Sequence, residues 1–425
     1  MAEFQAEVFQ NEYLSEGATD VHGVVSITCR GAGTAGSAGT EAAEIVIVDT
    51  SGSMDMPPAK IAAARRAARV AVEEIVDGTW FAVLSGHTVA QMVYPPHPGL
   101  AKMTDVTRRD AIEAVGRLRS GGATAIGAWI TAATELFSQA PAGQRHAILL
   151  TDGKIEGEPE GALDAALAAA KGKFQCDCRG IGSDWVVEEL RKISTALMGT
   201  VDIVARPEDL EADFEEMMRN AMSRGVADVR LRVWAPQGSE VLFVRQVAPQ
   251  VDDLTARGVR ISPLVVEFPT GAWSDESRDY HVAVRVPTAP VGNERLAARV
   301  EVVVDDQVLA KGLVKAIWSS DTHLTTRIDP AVAHYTGQAQ LADVIQRGLA
   351  AKSAGDERTA TVLLGEAAKL AHDTGNEQTT RLLAKVVDVV DVEAGTVRLK
   401  QQVAKVDEMA LDTRSTKTTR IRREP

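Results

Sequence analysis

Five side chains in three separated segments have the types and spacing to do chemistry together. Asp49-Thr50-Ser51-Gly52-Ser53, Gly121-Gly122-Ala123-Thr124 and Thr151-Asp152-Gly153 supply two carboxylates, Asp49 and Asp152, and three hydroxyls, Ser51, Ser53 and Thr124. An all-oxygen set of this kind suits a hard divalent cation, which prefers near-octahedral coordination and keeps some of its waters; Mg²⁺ is the first expectation, with Mn²⁺ or Ca²⁺ behind it. The set contains no thiolate or imidazole, which disfavours zinc and copper. Gly52 and the Gly121-Gly122 pair allow backbone to come close to an ion.

These segments converge only if the surrounding elements place them at one edge. Glu44-Ile45-Val46-Ile47-Val48-Asp49 and Ala147-Ile148-Leu149-Leu150-Thr151-Asp152 are near-continuous apolar runs that end in an acid, as expected of parallel strands buried on both faces. Pro57-Pro58 opens a helix bearing Ile61, Ala64, Ala68, Val72 and Ile75 on one side. From Glu44 to roughly Ser223 helices and strands alternate, which predicts an α/β, doubly wound, mainly parallel sheet. Ligands in such sheets bind beyond the carboxyl ends of the strands, where the first and third segments lie.

The flanks have a different period. Residues 3–14 and 21–29 read as strands, and 31–40 is a small-residue linker. From about Gly225 to Ser320, runs such as Val229, Leu231 and Val233 alternate with charged residues and are punctuated by Pro and Gly, which predicts an antiparallel β-sandwich. Two isolated N-terminal strands are marginal in water. Residues 1–40 are therefore expected to join the sandwich of 225–325, leaving the α/β domain of 41–224 as an insertion. Asp329-Pro330 starts a helical region, 326–412, with apolar stripes at Leu341, Ile345, Leu349, at Leu363, Leu364, Ala367, and at Leu382, Leu383, Val386, Val387. Residues 413–425 form a basic, Thr-rich tail expected to be disordered when free.

Asp49-x-Ser51-x-Ser53, then Thr124, then Asp152 resembles the metal-ion-dependent adhesion site (MIDAS) of von Willebrand factor A (vWA) domains. The likeness spans roughly residues 42–223, with all five motif positions in order. It departs at Gly-Gly-Ala-Thr, where many relatives have Gly-Gly-Thr or Gly-Gly-Gly-Thr; Thr124 keeps its place three residues before Gly127. The resemblance implies that Ser51 and Ser53 bind the ion directly and Thr124 directly or through water. Asp49 and Asp152 would act through water or hydrogen bonds. Such an ion stays electrophilic, so a partner protein's Asp or Glu can complete its shell. The layout resembles bacterial cytoplasmic vWA proteins and implies a binding scaffold. A vWA subunit regulating an AAA+ ATPase or chelatase-like complex is the alternative, and a metal-dependent hydrolase ranks last.

Other chemistries fit less well. A dehalogenase-type phosphatase wants a second acid at position 51, which is Ser, and an aspartic protease needs two Asp-bearing lobes in a β-rich fold. No Gly-x-Gly-x-x-Gly follows the apolar run 44–49, the first strand of the α/β region, so no dinucleotide site is expected. Ser51 is not in a Gly-x-Ser-x-Gly elbow, and His87, His97 and His146 have no context that marks a base. Asp184 reads as part of a helix start, and Met217, Met218, Met222, Trp129 and Trp185 as packing residues. Cys176 and Cys178 lack a second ligand pair nearby, so burial is expected rather than zinc.

The formal net charge of −13 argues against nucleic acid or an anionic membrane as partner. The odd count of three cysteines, the lack of a signal-like N-terminus and the lack of a long apolar run point to a cytoplasmic protein. In the tail, Thr418 has Ile421 three residues later, a spacing suited to capture of a phosphothreonine by a forkhead-associated domain.

Overall fold

The computed structural model describes residues 2–37 and 41–420, which divide into two compact units. Among the described residues the first comprises 32–37, 41–227 and 271–274; the second comprises 2–31, 228–270 and 275–420.

The α/β unit is built on a sheet with strand order Val201–Val204, Gln175–Ile181, Gln144–Thr151, Ala42–Asp49, Trp80–Gly86, Ala90–Tyr94. The first five run parallel; Ala90–Tyr94 and the short Ala101–Lys102 pair antiparallel to Trp80–Gly86. The central strand Ala42–Asp49 is buried along its whole length, as its apolar run requires. After it the chain adds a neighbour on one side, Trp80–Gly86, and later one on the other, Gln144–Thr151. The order therefore reverses at Ala42–Asp49, and the crevice at the carboxyl ends of these strands is the switch point where such sheets take ligands. The helix Ala59–Glu74 lays Ala63, Ala64, Ala67, Ala68, Ala71 and Val72 on the sheet, packed with Phe214, Met217 and Met218 of the helix Leu210–Met222. Trp129 and Trp185 are buried, as expected of packing residues.

The amino ends of the same strands hold a sealed charge network. His146 lies between Glu44 and Asp177, with Nδ1 2.9 Å from the Glu44 carboxylate and Nε2 2.9 Å from Asp177 Oδ2. The Arg224 guanidinium approaches Asp177 at 3.6 Å. Burial opposes a charge on His146, but the Glu44 carboxylate and the hydrogen bonds to Asp177 and Glu44 outweigh it and raise its pKa to about 9. Despite its own burial, the His146 hydrogen bond and the Arg224 charge hold Asp177 well below the usual carboxylate range. Sequence reading found no role for His146, because its partners sit on adjacent strands 102 and 31 residues away.

The second unit is a β-sandwich. One sheet has the order Glu3–Phe9, Asp20–Arg30, Ser277–Arg285, Glu240–Ala248, Asp252–Asp253. The other has Val259–Ser262, Val265–Trp273, Val226–Trp234, Glu294–Val304, Gln307–Trp318, Tyr13–Leu14; the last pairing is parallel, whereas Val226–Trp234 with Glu294–Val304 and Glu294–Val304 with Gln307–Trp318 are antiparallel. The N-terminal strands do pair with Ser277–Arg285 and Gln307–Trp318, so the α/β unit is an insertion in the chain of the sandwich. The faces interdigitate closely: a Cβ on Gly312 would lie 2.6 Å from a Val8 methyl, and one on Gly23 would lie 3.2 Å from Val314.

Three expectations need correction. The small-residue stretch is not wholly a linker: Ala32 and Ala35 are buried, and Ala35 N–H donates to Met222 O at 2.8 Å, which assigns 32–37 to the α/β unit. Residues 38–40 lie outside the described residues. The C-terminal region is not helical throughout. After the helices Pro330–Ser353, Glu357–Asp373 and Glu377–Val386 comes a hairpin, Val387–Asp391 with Thr396–Leu399, then the helix Lys405–Arg414. Asp388-Val389-Val390-Asp391 offers no helical stripe, and Gly395 turns the hairpin at φ +64°.

The tail, too, is ordered as far as residue 420. Thr413 and Arg414 close the last helix, and 415–420 are held down by specific contacts. Val251 N–H donates to Thr416 O at 2.7 Å, Thr418 N–H to Pro249 O at 3.0 Å, and the Thr418 hydroxyl to Val247 O at 2.6 Å. Arg420 grips Asp279, a carboxylate with no exposed surface, at 2.9 and 3.1 Å, and Tyr335 donates to the same group. The basic character that suggested disorder is here the partner of a buried acid. Residues 421–425, including Ile421, lie outside the described residues.

Candidate metal centre

The five side chains singled out above come together. Thr50 fixes the first loop after its strand, with its N–H donating to Gly86 O at 2.7 Å and its carbonyl accepting from Gly121 N–H at 2.7 Å. Gly52 N–H donates to Gly122 O at 2.9 Å, stitching the first loop to the second. Glu156 N–H donates to Thr124 O at 2.8 Å, tying the second loop to the third. Gly122 holds φ at +85°, and a Cβ there would meet Thr88 Oγ1 at 2.9 Å.

A continuous chain of polar contacts runs through the site. Asp49 Oδ1 accepts from Ser51 N–H at 2.7 Å, and Asp49 Oδ2 accepts from the Thr151 hydroxyl. Ser51 Oγ and Ser53 Oγ lie 2.9 Å apart, and Ser53 Oγ donates to Asp152 Oδ1 at 2.7 Å. Thr124 faces this cluster: a Cβ built on Gly153 would be 2.9 Å from Thr124 Oγ1 and 3.2 Å from Ser53 Oγ, so Gly153 keeps a small cradle open between hydroxyls. Asp49, Ser51, Thr124 and Asp152 are buried and Ser53 is half-buried. Burial pushes the Asp49 carboxyl up to about 6 against the hydrogen bonds from Ser51 and Thr151, with the Asp152 charge adding to the rise.

Sequence reading missed Lys60. Its Nζ donates to Asp152 Oδ2 at 2.7 Å and to Asp184 Oδ2 at 3.2 Å, and the residue is 6% exposed. The signal was available, since Lys60 falls in the register of the buried stripe that continues through Ala64, Ala67 and Ala71. Asp184, expected only at a helix start, is the outer partner of this lysine.

Hydroxyls grouped around an open cradle, with two carboxylates behind them, fit a hard divalent ion. Among the described residues no group of three or more His, Cys, Asp or Glu could hold a metal; here the donors facing the cradle are hydroxyls, with carboxylates as their hydrogen-bond acceptors. The three cysteines are buried free thiols. Beside the site, sharing Gly121 and Gly122, runs an open groove of about 710 Å³ bordered by His87, Gln91, Arg117 and Arg119.

Residues 43–203 match the family model of the von Willebrand factor type A domain, and residues 369–415 match that of the von Willebrand factor type A C-terminal domain. The solved structure of a von Willebrand factor type A protein from Catenulispora acidiphila is 46% identical, with coverage of 99% of this chain and 97% of that one and a TM-score of 0.94. The chain belongs to the von Willebrand factor type A family. The ArnB paralog VWA2 from Sulfolobus acidocaldarius shares the fold at 14% identity and a TM-score of 0.58, with 98% of each chain covered. Proximal thread matrix protein 1 of the mussel byssus, with a zinc-occupied MIDAS motif, overlaps 43% of this chain and 46% of its own at 22% identity and a TM-score of 0.37, too little to bear on the ion this vWA chain would take. Among curated proteins, none matches the sequence. Among the described residues, no helix is long and apolar enough to cross a membrane.

Proposed function

We propose that this vWA protein is a metal-dependent binding scaffold, in which Ser51, Ser53 and Thr124 hold a divalent ion, Mg²⁺ first, that captures an Asp or Glu side chain of a partner protein. The observation that carries the reading is the polar chain Asp49–Ser51–Ser53–Asp152. Both carboxylates spend their oxygens on protein donors: Asp49 on Ser51 and Thr151, Asp152 on Ser53 and Lys60. They support the hydroxyls rather than face the cradle themselves. An ion held by neutral hydroxyls keeps most of its charge and attracts an outside carboxylate. The groove adds Arg117 and Arg119 at the same edge, which suits an acidic segment although the chain as a whole carries −13. The reading is of a binding module and not of a catalyst.

The proposal extends to the tail only conditionally. A phosphate on Thr418 would displace the hydroxyl from Val247 O, so a forkhead-associated partner at this residue requires the segment to be released.

The test is a pulldown from native lysate with Mg²⁺ or with EDTA, comparing the wild type with Ser51→Ala/Ser53→Ala. A partner retained only by the wild type in Mg²⁺ is expected, and an AAA+ ATPase in that position would define the assembly. The same partners under all conditions would overturn recruitment through this face.

A further inference from the structure

Lys60 sits where its charge is doubly unfavourable. It occupies the first turn of the helix Ala59–Glu74, an end that already carries partial positive charge. It is also almost enclosed, so its ammonium is stripped of most water. What holds it there is Asp152 Oδ2 at 2.7 Å, with Asp184 at 3.2 Å on the solvent side. The other oxygen of Asp152 takes the Ser53 hydroxyl at 2.7 Å. A single buried carboxylate is therefore divided between a fixed cation and the hydroxyl cluster.

We propose that Lys60 is a permanent counter-charge that weakens the site's hold on a bare divalent ion and so makes ion binding depend on the arrival of an outside carboxylate. The inference rests on the metal reading above. Asp49 and Asp152 against Lys60 leave one uncompensated negative charge among the inner groups, and a divalent ion overturns this to one positive charge. An incoming carboxylate cancels that excess. With a neutral residue at position 60 the ion alone would balance the site, and the partner would add little. By linkage, whatever strengthens the ion on partner binding strengthens the partner on ion binding by the same factor. Lys60 thus turns a metal site into a partner-gated one.

The experiment is calorimetric titration of the full chain with MgCl₂ or MnCl₂, alone and with acetate as the carboxylate probe. The wild type is expected to bind the ion weakly and to tighten when acetate is present. Lys60→Met should bind the ion alone at least about tenfold more tightly, within the usual span of such couplings, and lose most of the acetate effect. Lys60→Arg, which keeps the charge, should behave as the wild type. Equal or weaker ion binding by Lys60→Met would overturn the proposal, since that is the result expected if the lysine merely orients Asp152. Melting curves in EDTA show whether each variant is folded. Should Lys60→Met not fold, Asp184→Asn at the exposed partner supplies the opposite sign: weaker binding of the ion alone and a larger acetate effect, with an unchanged acetate effect overturning the idea. No ion bound by the wild type, with or without acetate, would instead defeat the metal reading itself.

Discussion

The two ends of one sheet handle buried carboxylates in opposite ways. At the amino ends, Glu44 and Asp177 face His146 and Arg224, and the charges close on themselves. About 17 Å along the same strands, at ~3.3 Å per residue, Asp49 and Asp152 face hydroxyls and a single lysine. The first arrangement is complete without any visitor. The second is short of positive charge, and its hydroxyls are grouped around a cradle that Gly153 keeps open. A structural network and the proposed binding site thus differ in whether the protein supplies all of the compensation, not in how buried the acids are.

The largest expected effect breaks the closed end. His146→Leu leaves Glu44 buried without its cation, and loss of one member of such a pair costs about 3–5 kcal/mol. Denaturant titration of the α/β unit should show that loss; an unchanged midpoint would mean the network is not closed through His146. The same residue gives the pH dependence. Because its folded pKa is raised from 6.5 to about 9, its stabilising contribution is whole below about 6.5 and is lost as pH rises through about 9. Melting temperature should therefore fall more steeply between those values in the wild type than in His146→Leu.

A smaller effect is expected where the compensating cation is itself partly wet. Arg420→Ala removes a guanidinium that is 39% exposed from Asp279, which keeps its Tyr335 hydrogen bond. The expected cost is about 1–3 kcal/mol, with the tail more open to proteolysis. A loss as great as that at His146 would show that exposure does not grade these pairs. The smallest stability effect belongs to the open end. Ser51→Ala/Ser53→Ala in EDTA should cost about 1 kcal/mol or less, because Asp152 keeps Lys60. Added Mg²⁺ should then raise the melting temperature of the wild type and leave the variant unmoved.

The motif segments were legible because each lies at a strand's carboxyl end or at a helix start, and buried parallel strands announce themselves as unbroken apolar runs. Asp49 and Asp152 could be put at one sheet edge for that reason, and the resemblance to the MIDAS motif joined them in one site. Lys60 was missed although it falls in the buried register of its helix, since a lysine reads as surface until the carboxylates that enclose it are placed by other segments. The His146 network was hidden in the same way, by partners that meet only through strand pairing. The Val387–Leu399 hairpin was lost because Leu382, Leu383 and Val386 carry a helical stripe straight into Val387. The tail was misread because several of its contacts are made by backbone groups, which leave no trace in residue type.

On the proposal above, the under-compensated end of the sheet holds one divalent ion among the hydroxyls of two loops, backed by Asp152 of the third. Anomalous diffraction from crystals of the protein grown with Mn²⁺ tests it most directly. A single strong peak is expected within coordination distance of Ser51 Oγ and Ser53 Oγ and facing Thr124. Saturating Mn²⁺ with no peak there, or with one at the Glu44–Asp177 end instead, would contradict it.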